Sequence, residues 1–283
     1  MLPTIKKLVV CGAGTMGAGI AQVCAAAGFQ TMLFDVNETV LQWAQKKITA
    51  DVAKAVERGK LNAAAADALL QQLQYSTNIE RCTGDMVIEA IVEQMDAKVD
   101  LFNKLHALNG DKTIYCSNTS SLSINALAQQ TSAPKQMAGL HFFNPAPLMK
   151  LVEVVQGRHT APGVVDTLMD FTKAVGKTPV LCTDAPGFIV NRVARPFYIE
   201  ALRLAEAGYK MEEIDALLEG IGFKMGPFKL MDLIGNDINY AVSTLVWEQL
   251  GKPERLKPSY LQQQKVENGQ LGKKTGKGYY AYE

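Results

Sequence analysis

The sequence predicts an α/β fold with a mostly parallel sheet and a helical hairpin insertion, followed by an all-α C-terminal domain. Short apolar segments alternate with helix-forming segments through about residue 183. One long stretch rich in Ala, Leu, Gln and Lys interrupts this alternation, and strand signals vanish after residue 187. We therefore predict one domain over residues 1–185, with the hairpin at about 38–74, and a second over 186–283.

Composition excludes several classes of protein. The chain has 283 residues, of which 48% are hydrophobic and 20% charged, as is typical of a folded globular protein rather than a disordered one. The 29 Lys and Arg nearly balance the 28 Asp and Glu, whereas a general binder of nucleic acid or membrane surfaces is usually more basic. No uninterrupted apolar stretch approaches the ~20 residues of a membrane span. We expect neither nucleic acid nor a membrane as partner.

The five cysteines are odd in number, widely spaced and without a CxxC pair. This favours buried, reduced thiols over a disulfide framework or a zinc site, so we expect no metal and a cytoplasmic location. Lys6 and Lys7 before an apolar run have the outline of a secretory signal, but four glycines interrupt that run. These glycines are better explained by the strand, turn and helix that begin the chain.

The first elements form a strand–turn–helix–strand unit. Lys7–Cys11 is a predicted strand, residues 12–17 read GAGTMG, and Ala18–Ala27 has helix-forming composition. A second strand, Gln30–Phe34, ends in Asp35. A GxGxxG motif between strand and helix, with an acid about twenty residues on, is typical of a Rossmann-type dinucleotide-binding unit.

Each residue of this motif has a physical role. Gly12 permits the tight turn, Gly14 lets the backbone approach a pyrophosphate at the helix N-terminus, and Gly17 allows close packing of helix on strand. Asp35 can accept hydrogen bonds from ribose hydroxyls and would repel a 2′-phosphate. The unit therefore predicts NAD rather than NADP as cofactor, unless Asp35 is only an unliganded residue at a strand end.

The segment Glu38–Gln74 is predicted to be helical throughout, as two helices with a turn near Gly59–Asn62. It is locally basic, and the pattern alone leaves two readings open: a solvated helical face, or a clamp for an anionic ligand. Its basic residues are Lys46, Lys47, Lys54, Arg58 and Lys60.

After the hairpin, predicted strands and helices alternate again. Met86–Ala90 and Thr113–Cys116 are predicted strands, separated by a helix over about 95–108. The second strand ends in the polar cluster Ser117–Ser121. Ligands of open α/β sheets bind beyond the carboxyl ends of strands, so the cluster is a site candidate, although it also suits the N-cap of a helix starting near Ser123.

His141 and Glu153 each lie in an apolar, strand-like run. A carboxylate in such surroundings is costly unless it is paired. The two residues form either a catalytic pair, in which Glu153 orients the imidazole, or a structural histidine and an outward-facing acid. Spacing alone does not decide.

The C-terminal hundred residues are predicted to be helical. The helices are Phe188–Ala207, with Asn191 in its first turn, Met211–Glu219, Pro227–Leu250 with breaks, and Pro258–Asn268. A basic, glycine-rich tail over 272–280 is either a mobile end or a segment that folds back over a phosphate.

Taken together, the motifs resemble those of the L-3-hydroxyacyl-CoA dehydrogenase family, and the resemblance runs from end to end. Short-chain bacterial members, which act on 3-hydroxybutyryl-CoA, are most alike in length and layout. The matching stretches are GAGTMGAGIAQ, IEAIVE, SNTSSLSI, HFFNPAP, KLVEVV, APGFIVNR, MGPFKLMDLIG and GKKTGKGYY.

The resemblance implies residue roles. The family's catalytic histidine and glutamate fall on His141 and Glu153, and its substrate-binding serine and asparagine on Ser120 and Asn191. The cofactor set falls on Gly12, Gly14, Gly17, Asp35, Glu93, Lys98, Ser120, Asn144 and Lys274. The coenzyme A clamp falls on Lys54 and Arg58, the latter an arginine where a close relative has lysine.

The resemblance also implies reversible, NAD-dependent oxidation of an L-3-hydroxyacyl-CoA, short-chain by analogy, within a homodimer formed through the helical domain. Two alternatives remain: a dehydrogenase of a free hydroxy or sugar acid, and a non-catalytic NAD-binding protein. A chain ending at Glu283 has no room for a hydratase, so we expect a free-standing enzyme.

Overall fold

A computed structural model of the chain describes residues 5–282, which form two compact units, one ending at Ala185 and the other beginning at Pro186. The first unit contains one eight-stranded sheet of order β3-β2-β1-β4-β5-β6-β7-β8. Its pairs are parallel except for β6 with β7, so the predicted mostly parallel sheet is confirmed. The strands are β1 Lys7–Cys11, β2 Gln30–Phe34, β3 Leu73–Ser76, β4 Met86–Glu89, β5 Ile114–Ser117, β6 Met137–Phe142, β7 Leu151–Gln156 and β8 Thr178–Thr183.

Helices cover this sheet, which explains why its central strands are buried. β1 is buried after its first residue and β4 is buried throughout, which is the pattern of parallel strands covered on both faces. Asparagines start both hairpin helices: Asn37 accepts from the N–H groups of Thr39 and Val40, and Asn62 from that of Ala65. The helices are α1 Thr15–Ala26, α2 Glu38–Glu57, α3 Ala63–Gln71, α4 Met95–Asn109, α5 Ile124–Gln129 and α6 Pro162–Ala174.

The end of the hairpin differs from the prediction. The second helix stops at Gln71, and Leu73–Ser76 forms the edge strand β3, parallel to β2. The helix-type pattern predicted Leu73 and Gln74 as helical, which is wrong. Leu73 and Ser76 are buried, so tertiary pairing overrides local propensity here.

The second unit is helical, as predicted. Its helices are α7 Val190–Glu206, α8 Met211–Gly220, α9 Pro227–Ile234, α10 Asn236–Gln249 and α11 Tyr260–Glu267. The break between α9 and α10 is Gly235, at φ +106°, which favours glycine. The buried core of this unit includes Tyr198, Leu202, Phe228 and Met231.

The basic tail packs on its own unit. The buried Asp232 carboxylate accepts the backbone N–H groups of Tyr279 and Tyr280, both at 3.0 Å. The Tyr280 hydroxyl donates to the buried Asp215 at 2.8 Å. The sequence left open a mobile end or a segment that folds over a phosphate, and the structure packs the tail against two buried carboxylates that need these donors.

Among residues 5–282, none of the helices combines the length and apolar character needed to cross a bilayer. Over the same range, no group of His, Cys, Asp and Glu side chains is arranged to hold a metal ion. Burial raises the pKa of the Cys24 and Cys82 thiols to about 12.

Candidate active site

The glycine loop has the geometry of a nucleotide cradle. A Cβ on Gly17 would lie 1.7 Å from the carbonyl oxygen of Gly12, so helix and loop touch through bare backbone. A Cβ on Gly12 would lie 2.5 Å from the Ala90 carbonyl oxygen, and Gly12 has φ +96°. Beside Gly14 nothing lies within 4 Å of that position, and α1 begins there without a side-chain cap. The open space faces uncapped N–H groups, which suits a pyrophosphate.

Asp35 holds the loop as well as the end of β2. Its Oδ2 accepts the N–H of Ala13 at 2.7 Å, and its Oδ1 accepts the N–H of Asn37 at 2.9 Å. Carboxylate oxygens have about four lone-pair sites, so both can still accept hydrogen bonds from a ribose.

A cavity of about 460 Å³ adjoins this loop and has mainly apolar walls. Its position beyond the carboxyl ends of β1, β2 and β4 is where an adenosine would lie in such a sheet. The residues present thus fit a dinucleotide. The lining includes Gly12, Gly14, Asp35, Val36, Ile79, Ile91 and Leu101.

His141 and Glu153 are cross-strand neighbours in the antiparallel pair of β6 and β7. The imidazole Nδ1 lies 2.6 Å from Glu153 Oε2, and the two residues are 6% and 1% exposed. Since an ionised carboxylate only accepts, Nδ1 carries the hydrogen and Nε2 is the proton-accepting nitrogen. The structure therefore brings the two predicted residues together, and the catalytic role of the pair stays a prediction.

The polar segment after β5 is organised around Glu93. Its Oε1 accepts the N–H of Ser120 at 3.2 Å and the hydroxyls of Thr119 and Ser121 at 2.5 and 2.6 Å. The side chain of Asn118 accepts the N–H of Phe142 at 2.8 Å. The segment that carries Ser120 is thus tied to the end of β6, next to His141.

A buried ion pair supports the same segment, and sequence reasoning missed one of its members. Glu89 and Lys98 are 0% and 1% exposed, with Oε1 and Nζ 2.5 Å apart. Lys98 Nζ lies 3.1 Å from Glu93 as well, and the Ser117 hydroxyl donates to Glu89 at 2.7 Å. The signal was present in the sequence: Glu89 ends the apolar run Met86–Ile88, and a buried acid needs partners.

The pKa values of the two carboxyls move in opposite directions. Burial raises the pKa of Glu89, although Lys98, Ser117 and the N–H of Ile91 oppose this. Partial burial also acts on Glu93, but Lys98 and the Ser121 and Thr119 hydroxyls outweigh it and lower the pKa. The lowered pKa favours the ionised form of Glu93, to which the segment that carries Ser120 is hydrogen-bonded.

A second cleft, of about 390 Å³, separates the hairpin from the β6–β7 loop. The predicted clamp residues Lys54 and Arg58 line it, together with Lys47 and Lys60. Asn144, predicted to bind the cofactor, lines this cleft too. A cationic rim over an apolar floor suits a long ligand with an anionic end.

Asn191 and Lys274 belong to the second unit. Asn191 lies in the first turn of α7, as predicted, and its carbonyl accepts the Arg195 Nε–H at 2.9 Å. Lys274 Nζ lies 2.6 Å from both oxygens of Asp237. The predicted substrate and cofactor roles of these two residues stay predictions.

Comparison with known proteins decides the family. Residues 7–185 match the model of the 3-hydroxyacyl-CoA dehydrogenase NAD-binding domain, and residues 187–282 match the C-terminal domain of the same family. The chain belongs to the 3-hydroxyacyl-CoA dehydrogenase family. Its first unit is that family's NAD-binding domain, and NAD is the cofactor.

Relatives that match this chain over nearly all of its length support the same family. The chain is 47% identical over 99% of its length to the 3-hydroxyadipyl-CoA dehydrogenase of Escherichia coli, but spans only 60% of that protein. It is 42% identical over 98% of its length to the mitochondrial hydroxyacyl-coenzyme A dehydrogenase of Sus scrofa, of which it spans 91%. A crystal structure of (S)-3-hydroxybutyryl-CoA dehydrogenase from Ralstonia eutropha matches with TM-score 0.94 and 35% identity, covering 99% of this chain and 100% of that one.

Proposed function

We propose that the protein interconverts L-3-hydroxyacyl-CoA and 3-ketoacyl-CoA with NAD, with short-chain thioesters as substrates. The observation that carries the proposal is the buried pair of His141 and Glu153 in an NAD-binding fold. A non-catalytic NAD-binding protein of this family would have no need to bury that pair.

The protein's own task in the reaction is to move a proton. Bound NAD supplies a hydride acceptor. His141 Nε2 takes the proton of the substrate hydroxyl, because a neutral alcohol is a poor hydride donor. Glu153 holds the ring through Nδ1 and stabilises the imidazolium that forms.

Ser120 and Asn191 are proposed to hydrogen-bond the substrate oxygens and restrain their position. The segment from Thr119 to Ser121 supports the first assignment, because Glu93 fixes its backbone and its neighbouring hydroxyls. A preorganised donor costs little reorganisation during reaction.

Lys54 and Arg58 are proposed to bind the phosphates of coenzyme A. We expect Lys54→Ala and Arg58→Ala each to raise the KM for acetoacetyl-CoA, by about tenfold if one charge-assisted hydrogen bond is lost. Steady-state kinetics tests this, with Lys46→Ala as a matched control, since Lys46 is exposed on the same helix and does not line the cleft. Unchanged KM in both variants would separate the hairpin from coenzyme A and favour a free-acid substrate.

Asp35 is proposed to select NADH over NADPH. We expect Asp35→Ser to reduce this preference, because the repulsion of a 2′-phosphate is lost. NADH binding should weaken as well, since the carboxylate also holds the N–H of Ala13. Dissociation constants for both cofactors measure the two effects. A preference equal to that of the native protein would exclude the ribose role.

The proposal that the substrates have short acyl chains rests on similarity to relatives with short-chain substrates. The ratio of kcat/KM for acetoacetyl-CoA to kcat/KM for 3-ketodecanoyl-CoA tests it. Higher kcat/KM for the longer thioester would overturn it.

We further propose that residues 186–283 bind substrate and form a homodimer. Exposed apolar side chains in this unit support the dimer: Val193, Leu217, Ile221 and Phe223 are 67%, 64%, 68% and 48% exposed. Sedimentation equilibrium measures the mass, and a monomer at micromolar concentration would contradict the dimer.

A further inference from the structure

The loop between β6 and β7 forms one wall of the cleft that Lys54 and Arg58 line, which we call the coenzyme A cleft. A lysine from outside this cleft holds the loop in place. Lys177 precedes β8, and its side-chain ammonium donates to the carbonyl oxygens of Ala146, Pro147 and Met149, at 2.7, 3.3 and 2.9 Å. An ammonium has three N–H donors, and here all three are directed at one short loop.

The loop is shaped to present those carbonyls. The N–H groups of Leu148 and Met149 both donate to the carbonyl of Pro145 at 3.0 Å, which closes a tight turn. Ala146 is buried, whereas Leu148 is 73% exposed. Pro145, Ala146, Pro147 and Leu148 all line the cleft opposite the hairpin helix α2. Movement of this turn would therefore change the width of the cleft.

The other side of the loop rests on α1. Ala146 Cβ and Pro147 Cδ both lie 3.2 Å from where a Cβ on Gly19 would be, so a side chain at this position would require the loop to move by a few tenths of an ångström. The loop is thus held between α1 at Gly19 and the Lys177 ammonium. Partial burial of the ammonium lowers the pKa of Lys177.

We propose that Lys177 is a positioning residue for thioester recognition: it fixes the 145–149 wall of the cleft at the separation from Lys54 and Arg58 that coenzyme A requires. The inference rests on the proposed function. Lys177 acts through the loop and touches no reacting atom. The register of β6 and β7 holds His141 opposite Glu153 by separate backbone contacts, so the proton-transfer pair does not depend on it.

Lys177→Met tests the inference, since methionine keeps an unbranched apolar side chain but removes all three donors. Pro147 and Met149 are exposed, so their released carbonyls can bind water, and the fold should persist although the carbonyl of the buried Ala146 loses this donor. Calorimetric titration of the full chain with free coenzyme A and, separately, with NADH measures the two sites independently of turnover. We expect the Kd for coenzyme A to rise about tenfold, equivalent to ~1.4 kcal/mol, with the Kd for NADH and kcat unchanged.

Two further variants complete the test. Lys177→Arg keeps the charge, but its planar fork cannot converge on three carbonyls, so it should recover only part of the affinity. Lys173→Met removes a lysine from the same helix–strand segment, where its ammonium pairs with the exposed Asp170, and should leave both Kd values as they are.

Equal coenzyme A binding by Lys177→Met and the native protein would overturn the inference and leave the proposed function intact. Parallel weakening of coenzyme A and NADH with a lower Tm would also overturn it, because Lys177 would then be a general structural residue. Failure of the native protein to bind coenzyme A would reject the proposed function and the inference with it.

Discussion

Replacement of His141 by alanine is expected to lower kcat by about 10²–10⁴-fold, the usual contribution of general acid–base catalysis. NADH binding should be unchanged, because the glycine loop and Asp35 lie at β1 and β2, whereas His141 lies on β6. Steady-state kinetics with acetoacetyl-CoA and a fluorescence titration with NADH give the two quantities.

The Glu153→Gln variant separates orientation from charge at the same site. Glutamine can still accept the Nδ1 hydrogen bond but does not stabilise the imidazolium, so kcat should fall less than in His141→Ala. A His141→Ala protein with native kcat would remove the catalytic role of the pair, whatever its geometry.

The glycine loop offers a second large effect, in which Gly17→Ala and Gly14→Ala are both expected to weaken NADH binding but only the first to lower stability. Gly17→Ala forces a methyl group into the Gly12 carbonyl, and both groups are backbone, so neither can rotate away. We expect the free energy of unfolding to fall by about 1–3 kcal/mol or more, together with loss of NADH binding. Urea unfolding measures the first and fluorescence titration the second.

Gly14→Ala is the matched control for this variant. Its methyl group meets nothing within 4 Å, so stability should stay near the native value. The same methyl group occupies the space through which the backbone approaches the pyrophosphate, so the Kd for NADH should rise by about tenfold or more. Native NADH affinity in Gly14→Ala would show that the pyrophosphate lies elsewhere.

The sequence predicted those parts of the site that depend on local pattern. The glycine loop and Asp35 are close in sequence, and a strand–turn–helix can place them in only one way. The pair of His141 and Glu153 was different, because twelve positions of chain separate them and only the register of an antiparallel pair brings them face to face. Strand spacing alone did not exclude a structural histidine and an outward-facing acid.

Other features depend on contacts that no local pattern records. Edge strand β3 directly follows a helix, and its own sequence has a helical pattern. It forms a strand because it pairs with β2. The tail packs on Asp232, which lies 47 residues before Tyr279 and 48 before Tyr280 in the chain. Lys177 was not distinguished from other lysines, since its three acceptors belong to a loop thirty residues away.

The most direct test of the account is NADH oxidation by the native protein with acetoacetyl-CoA, beside NADPH and beside free acetoacetate. We expect rapid oxidation of NADH with the thioester and none with free acetoacetate, and only slow oxidation when NADPH replaces NADH. Activity on free acetoacetate with none on the thioester would contradict the coenzyme A cleft. No oxidation of NADH by any of these substrates, with NADH still bound, would contradict the assignment as a dehydrogenase.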